Sequence, residues 1–119
     1  MARIVAAVED LLFSSKIRTV AKRLEVEVVF ARSPGAILSE VRARQPSLVV
    51  FDLNAERTDP IDTLAQIKAD PQLAATKAIA FASHVHAGLI AAARQAGAEE
   101  VMPRSAFAAT LPEIVAGAK

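Results

Sequence analysis

The sequence predicts an α/β domain: a parallel five-stranded sheet covered by helices on both faces, a three-layer sandwich. Three observations carry that expectation. Apolar runs alternate with segments of helical period, five of each, and the joins between them are short. The runs Ile4 to Val8 and Leu48 to Phe51 are continuous rather than alternating, as suits strands buried on both faces. The chain has 119 residues, 53% hydrophobic and 23% charged, which suits one folded domain with one ordinary core.

Strand one is Arg3 to Val8, ended by Glu9 and Asp10. Helix one is expected from Ser14 or Ser15 to Leu24, because Ile17, Val20, Ala21 and Leu24 fall on one face. Lys16, Arg18, Lys22 and Arg23 lie off that stripe and read as a solvated basic face. Val26 to Ala31, rich in β-branched residues, is strand two. Ser33-Pro34 has the form of an N-cap followed by proline, opening helix two, which runs to about Arg44 with Ile37, Leu38 and Val41 inward. Leu48 to Phe51, followed by Asp52, is strand three. Residues 54–60 form a polar loop, and Asp59-Pro60 starts helix three, with Ile61, Leu64 and Ile67 buried and Asp70-Pro71 as its end.

Lys77 to Ala82 is strand four. Helix four spans Ala87 to Ala96 and stops at Gly97, a left-handed C-terminal residue. Glu100 to Pro103 is a short fifth strand at an edge. The last helix lies between Ser105 and Ala118, with Thr110-Leu111-Pro112 marking its true start or a kink. With aromatics at only 4%, small side chains fill much of the core.

Composition narrows the function. A formal charge of +1 argues against a dedicated binder of nucleic acid or of membrane surfaces. The absence of cysteine excludes disulfides and thiolate metal sites. No segment approaches the length of a membrane span, and the first residues lack a signal-peptide pattern, so a cytoplasmic protein of one domain, residues 1–119, is expected.

Asp52 stands at the carboxyl end of its strand, the edge where open α/β sheets bind ligands. Glu9 and Asp10 end strand one. If the two strands are neighbours, three carboxylates meet in one shallow cleft and raise one another's pKa values. A hard divalent cation relieves that repulsion. Mg²⁺ keeps several waters and needs only one or two carboxylates and a carbonyl, which Asn54 can supply two residues after Asp52. A metal-bound Asp52 is then able to attack a phosphoryl group.

In these residues the chain resembles the receiver domain of two-component response regulators, over nearly its whole length. The resemblance rests on Glu9-Asp10 after strand one, Asp52 after an apolar strand three, Ala96-Gly97-Ala98 before strand five, and a cation, Arg104, where the family carries lysine. It implies a flavodoxin-like strand order, 2-1-3-4-5. It implies Asp52 as phosphoacceptor, Ser83 and Arg104 as partners of the phosphoryl group, and a metal site of Glu9, Asp10, Asp52 and the backbone carbonyl of Asn54, taking Mg²⁺. It also implies a histidine kinase or phosphotransfer protein as donor, a downstream protein as reader, a homodimer or partner surface along helix four and the last helix, and no enzymatic activity of its own.

Several positions depart from the family pattern. Arginine replaces lysine at 104, and the two cations are not interchangeable. Ser105 stands where proline is usual, Thr63 where glycine is expected, and Val101 in place of an aromatic. The loop after Asp52 is long. Counting back from Gly97 puts Ala82 at the hydroxyl position, whereas a loop one residue shorter puts Ser83 there. Arg104 is thus either an active-site cation or an ion pair holding the acids together. The alternative function is a pseudo-receiver, an interaction module that is not phosphorylated. His84 and His86 supply at most two metal ligands, too few for a zinc site.

Overall fold

The computed structural model describes residues 3–83 and 87–119. In chain order the elements are β1 (Ile4–Ala7), α1 (Leu11–Arg23), β2 (Val28–Phe30), α2 (Pro34–Arg44), β3 (Leu48–Asp52), a single 3₁₀ turn (Glu56–Thr58), α3 (Pro60–Ala69), β4 (Lys77–Ala82), α4 (Ala87–Ala96), β5 (Glu100–Pro103), α5 (Arg104–Ala109) and α6 (Leu111–Gly117). The strands form one sheet of order β2-β1-β3-β4-β5, every pairing parallel. This is the flavodoxin-like arrangement expected.

Side chains alternate across each strand, so each strand feeds two cores. Ile4, Ala6, Leu48, Val50, Ile79 and Phe81 point to the side covered by α1, α5 and α6. Val5, Ala7, Val49, Phe51, Ala78 and Ala80 point to the side covered by α2, α3 and α4. Two-sided burial is why the central strands read as unbroken apolar runs. Alanines at positions 6, 7, 78, 80 and 82 let the helices approach the sheet closely.

Two boundaries differ from the sequence reading by more than one residue. Helix α1 begins at Leu11, not at Ser14 or Ser15. Its N-cap is Asp10, whose side chain accepts from the amides of Leu12 and Phe13 at 2.8 and 3.2 Å. Ser14 is buried one turn in, its hydroxyl pointing at the Val8 carbonyl. Strand β2 is shorter than Val26 to Ala31, because the Val26 amide is taken by the Ala21 carbonyl at the end of α1. The last helix is broken into α5 and α6 at the kink expected from Thr110-Leu111-Pro112. Pro112 has no N–H to give back to the preceding turn, and Thr110 turns its hydroxyl onto the Ala106 carbonyl at 2.8 Å. Phe107, Leu111 and Val115 nevertheless stay buried on one line across the break.

The long loop after β3 is locally closed. The Thr58 hydroxyl donates to the Ala55 carbonyl and the Thr63 hydroxyl to the Thr58 carbonyl, both at 2.7 Å. Thr63 is buried, so its hydroxyl fastens this loop to α3.

A second tie holds the other edge. Lys68, in the last turn of α3, donates to the carbonyls of Ala74 (3.2 Å) and Thr76 (2.7 Å) and to the Glu99 carboxylate. The other Glu99 oxygen accepts from the Ala78 amide at 2.8 Å. Gly97, at φ +112°, lets the Lys68 stem pass, for a Cβ there would stand 2.7 Å from the lysine Cγ. Burial pushes the Glu99 carboxyl up, but the Lys68 and Ala78 hydrogen bonds outweigh it and hold the group below its ordinary pKa. Lys68→Met is expected to lower stability by about 1.5–3 kcal/mol in urea unfolding at neutral pH. Because the folded pKa of Glu99 is depressed, its contribution is full above the ordinary carboxylate range and fades as pH falls through the folded value, so the cost of the substitution should shrink in acid.

Candidate functional site

Asp52 closes β3 opposite Phe81 of β4 and is only 6% exposed. Its Oδ1 accepts the Asn54 amide at 2.9 Å, a tight turn that holds the carboxylate at the strand tip. Burial raises the pKa of Asp52. The Asn54 amide and the Arg104 guanidinium pull it back, while Asp10 and Glu9 push it further up. All four groups are therefore within electrostatic reach of Asp52, as the pairing of β1 beside β3 requires.

Each neighbour has a partner of its own. Asp10 caps α1 and also pairs with the Arg104 guanidinium. Its carboxyl is held below the ordinary range chiefly by the Phe13 amide, with Arg104 and the Leu12 amide adding to the effect against burial. Glu9 reaches across to the loop after β3, where its Oε1 accepts the Arg57 amide at 2.9 Å. Arg104 is the first residue of α5, and its guanidinium carbon lies over Phe13, 4.4 Å from the ring centroid. Phe13 packs on Phe81 at 5.1 Å, and Phe81 stacks on Phe107 at 4.3 Å with the rings 4° from parallel. The guanidinium thus rests on an aromatic platform built by α1, β4 and α5.

Asn54 has a role beyond its carbonyl: its side-chain oxygen accepts the Ser83 amide at 2.9 Å, clasping the tips of β3 and β4 together. Ser83 and Arg104 line one side of a shared open groove with Phe13 and Lys16.

The expected residues therefore assemble on one edge, Glu9, Asp10, Asp52 and Asn54 with Arg104 and Ser83 beside them. A ready-made cation cage does not. Among the described residues, no three acidic or histidine side chains converge closely enough to hold a metal ion. The donor set still fits Mg²⁺ in kind, since it offers carboxylate and amide oxygens and no nitrogen or sulfur ligand. The sequence reading missed the Glu9–Arg57 contact, in which the donor is a backbone amide, and the Phe13 platform. The double use of Asp10 had a visible signal, an aspartate just before an apolar helical run. His84 and His86 lie outside the described residues.

No protein-family profile and no curated protein matches the chain. Solved structures do. A response regulator from Hahella chejuensis superposes with a TM-score of 0.85 at 15% identity, covering 99% of this chain and 95% of that one. The chain has the receiver fold. The phosphorylated cyanobacterial phytochrome response regulator RcpA is 25% identical, with a TM-score of 0.72 over 98% of this chain and 91% of its own. The Mn²⁺-bound form of response regulator Rcp1 is 20% identical, with a TM-score of 0.76 over 96% and 88%.

Two stability measurements probe this edge of the receiver fold. Asp10→Ala removes the cap of α1 and the partner of Arg104, and should cost about 0.5–2 kcal/mol or somewhat more in urea unfolding. Asp52→Asn should do the opposite. The amide keeps an acceptor for the Asn54 N–H and removes a charge that burial disfavours, so thermal unfolding at neutral pH should move upward. Because the folded pKa of Asp52 is raised, the ionised form costs stability above that pKa, and the gain of the variant should close as pH falls below it.

Proposed function

We propose that this chain is a response-regulator receiver that accepts a phosphoryl group on Asp52 and signals through protein contacts. A histidine kinase or phosphotransfer protein of the cytoplasm is the donor. A carboxylate oxygen of Asp52 attacks phosphorus, the bond from phosphorus to the donor nitrogen breaks, and the imidazole leaves. Asp10, Asp52 and the Asn54 carbonyl would hold Mg²⁺, with Glu9 behind them. The ion supplies the positive charge that lets one anion approach another.

Arg104 offers charge and planar hydrogen bonding to the phosphoryl oxygens. The Ser83 hydroxyl, beside Arg104, is the second group that turns toward them. The observation that carries this reading is the placement of Asp52: nearly buried, at the ligand-binding edge, within electrostatic reach of two acids and one cation. The reading makes the chain an acceptor rather than an enzyme, and makes residues 1–119 one receiver domain.

A second reading has its own support. Arg104 is bound to Asp10, and Glu9 to a loop amide, so the acids are already neutralised or engaged within the protein. That favours a pseudo-receiver, an interaction module without phosphorylation. Intact-mass measurement after incubation with acetyl phosphate and Mg²⁺ separates the two. The receiver reading expects a gain of one phosphoryl mass that Asp52→Asn abolishes. No gain, together with no amide shifts at Glu9, Asp10 and Asp52 during an Mg²⁺ titration followed by NMR, would leave the pseudo-receiver standing.

A further inference from the structure

Among the described strand residues only Asp52, Lys77 and Glu100 are charged. Asp52 stands at the carboxyl edge of the sheet. Lys77 opens β4 and Glu100 opens β5, so both stand at the opposite, amino edge. The register puts them on one face. Lys77 lies beside Leu48 and Glu100 beside Ile79, and both of these apolar partners belong to the core under α6. Glu113 of α6 joins the two strand charges round a recess of about 230 Å³. Its floor is apolar, formed by Leu48 and Ile79 of the sheet with Ile114 and Ala118 of α6. The recess stays open because the end of α6 brings only Gly117 and Ala118 to it, and a Cβ added at Gly117 would meet no atom within 4 Å. Among the described residues, none of Lys77, Glu100 and Glu113 has an ion-pair partner.

We propose that this recess binds a free aliphatic amino acid of the size of leucine. Two carboxylates and one ammonium stand round an apolar floor. The complementary ligand carries an ammonium for Glu100 and Glu113, a carboxylate for Lys77 and a short branched hydrocarbon for the floor. An α-amino acid puts all three on one carbon. A simple anion would meet Lys77 but be repelled by two acids, and a diamine would meet the acids but not Lys77. A peptide terminus brings only one of the two charges. Pockets for drug-sized ligands run to about 300–1,000 Å³, so this one suits a smaller molecule. The recess lies at the far end of β3 from Asp52, so the proposal holds whether or not that residue is phosphorylated.

The probe is L-leucine added to isotope-labelled protein, followed by amide shifts in NMR. Shifts at Leu48, Ile79, Ile114 and Ala118 should saturate with a Kd of about 1 mM or tighter. Leucinamide lacks the carboxylate, isocaproate lacks the ammonium and glycine lacks the hydrocarbon, and each should bind at least about fivefold more weakly. Lys77→Met should weaken leucine by a similar factor while binding leucinamide as the wild type does. Glu100→Gln combined with Glu113→Gln should weaken leucine about tenfold and isocaproate not at all. All three positions are exposed, so the variants should keep the spectrum of the folded protein. Any of four results overturns the proposal: no saturable shift, leucinamide or isocaproate binding as tightly as leucine, equal leucine binding by the variants, or saturable shifts confined to the Asp52 edge.

Discussion

A carboxylate kept at the end of a strand that is buried on both faces is the constraint from which the upper edge of this domain follows. Removing a charge from water costs several kcal/mol unless hydrogen bonds and opposite charges offset it. Asp52 receives one amide, from Asn54, and the field of one guanidinium, while two further acids work against it. An apolar residue would fill the same place at less cost. A residue that lowers stability where it stands, at the edge where this topology binds ligands, is better accounted for by chemistry than by packing.

Arg104 is the counterweight, and its side chain does what a lysine would not. The planar guanidinium lies over Phe13 while its edge engages Asp10, so one residue is fixed by an aromatic face and a carboxylate at once. Through Asp10 it also touches the first turn of α1, and through Phe13 the ring stack that runs to Phe81 and Phe107. New negative charge at Asp52 would compete with Asp10 for the same guanidinium. That competition, and not the size of any single contact, would make the start of α5 responsive to the state of β3.

Much of this was legible in the chain. Unbroken apolar runs announced two-sided burial, and Pro112 announced the break in the last helix. The adjacency of β1 and β3 came through the resemblance, since periodicity alone does not order strands. Ser14 and Ser15 drew the start of α1 too late because serine is a good cap. Aspartate at position 10 is at least as good and stands closer to the strand, and Ser14 is used inside the helix instead. Lys68 and Glu99 are separated by thirty-one positions, so no local pattern could pair them. The Glu9 contact to the Arg57 amide was hidden for a different reason: backbone donors carry no sequence signature.

The absent aromatic at position 101 bears on how a change at Asp52 would travel. Val101 packs among the residues on the α4 side of the sheet and has no ring to swing. Three rings lie on the opposite side, where Phe13, Phe81 and Phe107 form one contiguous cluster with Phe13 beneath Arg104. A movement of the guanidinium toward Asp52 would uncover Phe13 and alter the contact between α1 and α5. That contact forms a wall of the open groove that Phe13, Lys16, Ser83 and Arg104 line. The carboxylate edge and this groove share Arg104, so a shift of the guanidinium would be felt in the groove's shape.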